Sequence, residues 1–258
     1  MDLLYGRHPV LEALRAGRRR VHRVLVAAGA HGLDDLLREA RQRQVPIATV
    51  DRRQLDRLLP GGHHQGLLAE ADPFRYSRLQ DLLGGPKPLV LVLDSLQDPQ
   101  NFGTLLRTAQ ACGVDGVVIP EHRSVGVTPA VASASAGAVE HLRVARETNL
   151  SRAIESLKAR NVWVYGLAVG AQRPYWQIDW SGASALAVGA EGPGLGRLVR
   201  ESCDELVAIP MAAGAVQSLN ASVAGSLVLY EAFLQRHRQP ASDAPPPRTS
   251  PATPRPGS

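Results

Sequence analysis

Lysine is almost absent from this sequence. Only Lys87 and Lys158 occur among its 29 basic residues, in a chain of 258 residues with a formal net charge of +5. A GC-rich coding sequence is the simplest source of such an arginine bias, so the bias alone identifies no partner. Cysteine is just as scarce: Cys112 and Cys203 are the two present, which excludes a disulfide framework and suits a reducing compartment. No run of about 18 apolar residues occurs, and the first residues show no basic segment followed by an apolar core. The expectation is therefore a cytoplasmic protein with no membrane span. His63 and His64 have no third ligand nearby in sequence, so no zinc site is expected. Ser218 lies in no Gly-x-Ser-x-Gly elbow, which disfavours a serine hydrolase.

What is present is an uneven charge and a change of texture. Residues 1–72 carry 12 Arg against 9 acidic residues, 73–235 carry 13 basic against 14 acidic, and the last 23 carry four Arg and one Asp. Surplus at the two ends, with a near-neutral centre, is what a polyanion partner at the ends would require. The first 71 residues alternate short helical and strand patterns, with strands expected at Val21–Val26, 46–50 and 66–69. Residues 72–88 read as a linker. From Leu89 to residue 238 continuous apolar strands (Leu89–Asp94, Gly116–Ile119, 162–167, 185–189 and 206–209) alternate with helices at 101–112, 150–160, 195–201 and 218–237. That alternation predicts an α/β fold with a mostly parallel sheet. Residues 239–258 contain seven prolines and no apolar periodicity, the composition of a disordered tail.

Ligands of parallel sheets sit beyond the carboxyl ends of the strands, and three polar or glycine-rich loops fall there. The first runs from Asp94 to Gly103 into a helix carrying Arg107. Asn101 is of N-cap type, and Gly103 permits close approach to the first turn. The second is Gly189-Ala190-Glu191-Gly192-Pro193-Gly194-Leu195-Gly196, whose glycine spacing is not that of a dinucleotide fingerprint, though a glycine-rich wall beside an adenosine-like ligand fits it. The third runs from Ile209-Pro210-Met211 to Ser218-Leu219-Asn220-Ala221-Ser222, before a helix of small residues. Ser218 and Asn220 are again cap-type residues. Arg7, His8, Arg18, Arg19, Arg20 and Arg23 form the basic group that would face a polyanion partner.

Taken together, Asn101-x-Gly103-x-x-x-Arg107, Gly189-Ala190-Glu191-Gly192 and Ile209-Pro210-Met211 with Ser218-Leu219-Asn220 resemble the three motifs of the SpoU (TrmH-type) branch of the SPOUT RNA 2′-O-methyltransferases. The opening Tyr5-Gly6-Arg7-His8-Pro9-Val10 and His64-Gln65-Gly66 resemble the bacterial 23S rRNA guanosine-2′-O-methyltransferases within it. The resemblance covers about residues 2–237; the Ile209–Ser218 interval is one residue longer than usual, around Ala212-Ala213. It implies a small ribosomal-protein-like RNA-binding domain at 1–71 and a catalytic SPOUT domain at 89–238 with a trefoil knot. It also implies S-adenosylmethionine as cofactor, a homodimer and no metal. By motif match, Gly189, Gly192, Ile209, Met211 and Leu219 would contact the cofactor, while Asn101, Arg107, Glu191, Ser218 and Asn220 would serve the reaction.

The reaction implied is methyl transfer to a ribose 2′-hydroxyl, most simply of a 23S rRNA guanosine. A guanidinium stays charged far above neutral pH, so Arg107 is expected to clamp a phosphate and position the hydroxyl rather than act as a literal base. Glu191 is expected to orient Arg107 or the ribose. The alternatives are a tRNA 2′-O-methyltransferase of the same family, an antibiotic-resistance rRNA methyltransferase, and a non-catalytic RNA-binding or ribosome-assembly protein.

Overall fold

A computed structural model of the chain describes residues 1–212 and 218–238; the proline-rich tail and part of the third loop lie outside them. Two sheets organise the chain. The first is built from β1 (Asp2–Tyr5), β2 (Val21–Ala27), β3 (Ile47–Val50) and β4 (Leu67–Ala71), in the order β1-β4-β2-β3, with β4 antiparallel to β1 and β2. Helices α1 (Arg7–Ala16), α2 (Asp34–Gln42) and α3 (Arg52–Leu58) connect them. Gly17 ends α1 in the left-handed conformation, and the Asp51 carboxylate caps α3 by accepting from the Arg53 N–H. The short β1 had no signature in the sequence reading.

The second sheet has seven parallel strands in the order β7-β6-β5-β10-β8-β11-β9. They are β5 (Leu89–Asp94), β6 (Gly116–Pro120), β7 (Val144–Glu147), β8 (Trp163–Leu167), β9 (Arg173–Pro174), β10 (Ser184–Gly189) and β11 (Glu205–Ala208). Its helices are α4 (Pro99–Ala111), α5 (Pro129–Ala134), α6 (Leu150–Lys158), α7 (Arg197–Ser202) and α8 (Ala221–His237). The continuous apolar run of β5 has a direct cause: Leu89, Leu91 and Leu93 enter the core beneath α4 and α8, while Val90 and Val92 enter a second core beneath α6 and α7. β10 divides the same way, with Leu186 and Val188 on one face and Ala185 and Ala187 on the other.

The larger core does not stop at the second sheet. It runs from Leu4, Val10 and Val24 of the first unit to Leu91, Phe102, Val131 and Leu229 of the second. Across this junction Arg19 meets Glu140: the Arg19 Nε donates to Glu140 Oε2 at 2.9 Å, its Nη2 pairs with Oε1, and its Nη1 reaches Asp2 at 2.9 Å. The Arg19 and Glu140 side chains are only 2% and 1% exposed. His141 and Glu12 add a second cross-junction contact at 2.7 Å.

This corrects the expectation of an RNA-facing arginine group. Arg19 is buried in the junction, Arg18 donates to the Leu142 carbonyl at 2.5 Å, and Arg23 is held by both Glu70 oxygens at 2.8 and 2.6 Å. Arg18, Arg20 and Arg23 nonetheless remain exposed, as do Arg7 and His8. The latter two begin α1 and the arginine run follows its end, about 15 Å away along a ten-residue helix. Of the six, Arg19 alone is withdrawn from the surface.

Candidate active site

Register brings the loops together. Gly189 pairs with Asp94, Ala187 with Gly166, and Val207 with Leu167, so β5, β10, β8 and β11 end level. The glycine loop after β10 folds back on its own strand, with an isolated bridge between Ala190 and Gly194. Gly192 and Gly194 have φ of +85° and +71°, which glycine adopts without strain. A Cβ on Gly189 would lie 2.0 Å from the Gly194 carbonyl carbon, so glycine there is required by the loop above it. Asp94, itself buried, clamps the far end: its Oδ2 accepts from the Gly196 N–H at 2.7 Å and its Oδ1 from the Ser95 hydroxyl at 2.9 Å. The sequence reading gave Asp94 no role.

Beyond these strand ends lies a cleft of about 450 Å³. Its walls come from the residues after β8 (Leu167 to Gln172), the glycine loop, and Ile209, Met211, Ser218 and Leu219. Gly189, Glu191, Gly192, Ile209, Met211, Ser218 and Leu219 thus all line it. The stretch after β8 and Arg200 line it too, and neither carried a sequence signal.

Asn101, Asn220 and Arg107 stand outside the cleft wall, on α4 and at the start of α8. Asn101 does not cap α4. Asp98 does, accepting from the Gln100 and Asn101 N–H groups at 3.2 and 3.0 Å, with Pro99 next. Asp before Pro is a helix-start signal that outranks Asn three residues later, and it frees the Asn101 side chain. Asn101 Nδ2 donates to Glu191 Oε2 at 3.2 Å, and its Oδ1 accepts from Asn220 Nδ2 at 2.9 Å. Asn220 Oδ1 caps α8, accepting from the backbone of Ser222 and Val223 at 2.9 and 3.3 Å and from the Ser222 hydroxyl at 2.7 Å. Two backbone donors can face only an oxygen, so they fix the Asn220 amide, which fixes Asn101, which points an N–H at Glu191. The direction of the whole chain is set by the start of a helix. Ser222, buried in this network, was missed because it reads as one more small helical residue.

Arg107 is exposed, six residues and about 9 Å along α4 from Asn101. It makes no ion pair or side-chain hydrogen bond among the described residues, so the partner of Glu191 is Asn101 rather than Arg107. Gly103 admits close approach, but of protein: a Cβ there would lie 2.4 Å from Ala134 Cβ on α5. Nucleophilic cysteine chemistry is absent from the site. Cys112 is buried, and burial pushes the Cys203 thiol up to about 12, so it stays protonated at neutral pH. His64 is structural, its Nε2 on Asp56 at 2.9 Å and its Nδ1 accepting from the Gly66 N–H. No cluster of three metal-ligating side chains occurs among the described residues.

A cleft across parallel strand ends, walled by apolar side chains and backbone, with one carboxylate and one guanidinium, has the chemistry of a site for a nucleoside-like ligand. Residues 88–230 match the model of the SpoU rRNA Methylase family, and residues 3–77 match that described as RNA 2′-O ribose methyltransferase substrate binding. The chain belongs to the SpoU methyltransferase family. It is 40% identical over 242 residues to the putative TrmH family tRNA/rRNA methyltransferase YacO of Bacillus subtilis, covering 92% of this chain and 96% of that one. The SpoU methyltransferase AviRb of Streptomyces viridochromogenes, solved with AdoMet, superposes with a TM-score of 0.77 at 25% identity over 91% of this chain and 90% of that one. A structure described as bearing on 2-OH methylation of C/U34 on tRNA covers 58% of this chain and 97% of its own, with a TM-score of 0.52 at 28% identity. The protein is an S-adenosylmethionine-dependent RNA methyltransferase of this family.

Proposed function

We propose that the protein methylates a ribose 2′-hydroxyl in 23S rRNA, at a guanosine, and that it works as a homodimer. The observation that carries the reaction type is the polarised chain from the start of α8 through Asn220 and Asn101 to Glu191, at the edge of the cleft. Bound S-adenosylmethionine supplies an activated methyl group, so the residues need only align the acceptor and manage one proton. Gly189, Gly192, Ile209, Met211 and Leu219 would hold the cofactor; the apolar walls and the volume of the cleft fit an adenosyl group. Glu191, fixed by Asn101, would hold the ribose. Asn101, Asn220 and Ser218 would supply hydrogen bonds, and Arg107, exposed and unpaired among the described residues, would clamp a phosphate beside the reacting hydroxyl.

For the substrate, the first sheet supports rRNA. The tRNA-directed structure covers little more than half of this chain, leaving the remainder without a counterpart. Arg7, His8, Arg18, Arg20 and Arg23 are the residues of the expected RNA-facing group that remain exposed and available to RNA. The assembly is supported by α8, which packs one face on α4 and leaves Val223, Leu227, Tyr230 and Leu234 exposed at helical spacing. The trefoil knot belongs to the same proposal.

Mapping 2′-O-methyls in rRNA and tRNA from a deletion strain tests this reading. Loss of one 23S rRNA guanosine methyl is expected. Loss from tRNA instead would make this a tRNA enzyme, and loss from neither would overturn the substrate assignment.

A further inference from the structure

Two ionisable side chains line the cleft, Glu191 and Arg200. Glu191 is engaged by Asn101. Arg200, on α7, makes no side-chain hydrogen bond or ion pair among the described residues, whereas Arg197, one turn earlier, is held by both oxygens of Glu201 at 3.0 Å. The cleft thus contains one guanidinium with no protein carboxylate to meet it. Its position is fixed through the backbone, because the Arg200 N–H donates to the Gly196 carbonyl at 2.9 Å and Gly196 is itself clamped by Asp94.

The two charges occupy opposite walls. Val199 of α7 packs with α6 in the core on one face of the sheet, while Leu105 of α4 and Val228 of α8 pack in the core on the other. Glu191 is tied to the α4 side through Asn101. A ligand lying across the strand ends therefore meets a carboxylate towards α4 and α8 and a guanidinium towards α7. S-adenosylmethionine has the complementary pattern, with a cationic sulfonium at its centre and a carboxylate at its amino-acid end.

We propose that Arg200 receives the carboxylate of the cofactor's amino-acid end. This contact directs that end towards α7 and leaves the methyl-bearing sulfonium facing Glu191 and Asn101. The inference rests on the reading that the cofactor occupies this cleft, and it assigns a residue that determines its orientation.

Calorimetric binding to the full-length protein tests it, using S-adenosylmethionine, S-adenosylhomocysteine and 5′-methylthioadenosine, the last of which lacks the amino-acid portion. The variant is Arg200→Gln, an exposed position where such a change leaves folding intact. The expected result is an affinity loss of roughly 10- to 100-fold for the first two ligands and less than about twofold for methylthioadenosine. Arg200→Lys should recover part of the loss, because it restores charge without the paired donors. Equal loss for all three ligands, or loss for none, would overturn the proposal. If the wild-type protein binds none of the three, the cofactor reading of the cleft fails and the proposal falls with it.

Discussion

Asn220 shows how one side chain can hold two duties that a mutation can separate. Its Oδ1 caps α8 and its Nδ2 donates to Asn101. Aspartate keeps the cap, since a carboxylate is as good an acceptor at that position. It cannot donate, and it would set an oxygen against Asn101 Oδ1. Asn220→Asp is therefore expected to unfold within about 0.5 kcal/mol of the wild type while methyl transfer to RNA falls at least tenfold. Comparing urea denaturation with tritiated methyl incorporation checks both halves. Unchanged activity would remove Asn220 from the site and leave it a cap.

At the scale of elements, the glycine loop after β10 is defined by what it passes over. Gly192 and Gly194 are required by their own backbone angles, but Gly189 is required by Gly194, five residues further along, whose carbonyl carbon an added Cβ would meet at 2.0 Å. In Gly189→Ala the added methyl meets backbone atoms, which cannot rotate aside, so the loop must lift from the strand end. S-adenosylmethionine affinity is expected to drop at least tenfold and the melting temperature to fall with it. Calorimetry giving wild-type affinity for that variant would show that the loop does not shape the cofactor site.

For the whole molecule, the decisive interaction is the buried Arg19–Glu140 pair between the two sheets. Removing one partner of a buried pair leaves an uncompensated charge, so Arg19→Ala or Glu140→Ala is expected to cost about 3–5 kcal/mol in urea unfolding. Replacing both in Arg19→Met/Glu140→Leu should recover most of that loss. A double variant as unstable as the singles would mean that Arg19 acts through Asp2 and the Asp72 carbonyl rather than through Glu140. The exposed face of α8 belongs to this scale as well. Leu227→Glu places a charge in the middle of the apolar stripe and is expected to convert a dimer to a monomer by light scattering. A monomeric wild type would end the dimer reading.

Much of this protein was legible along the chain because its signals are local. The alternation of apolar strands with helices gave the parallel sheet, and the motif loops lay where strands end, since a strand buried on both faces leaves polar residues only at its tips. Asn220 was recognisable as a cap. The errors also have physical causes. Asn101 has the chemistry of a cap, but Asp98-Pro99 starts the helix three residues earlier. Arg18, Arg19, Arg20 and Arg23 were grouped by adjacency, yet a buried Glu140, more than a hundred residues away, claims one of them. Sequence by itself determined the elements, the order of the loops and the kinds of side chain brought to the cleft. Tertiary structure alone decided which amide faces which carboxylate, which arginine is buried and which lines the cleft, because those choices depend on contacts between segments that no local pattern records.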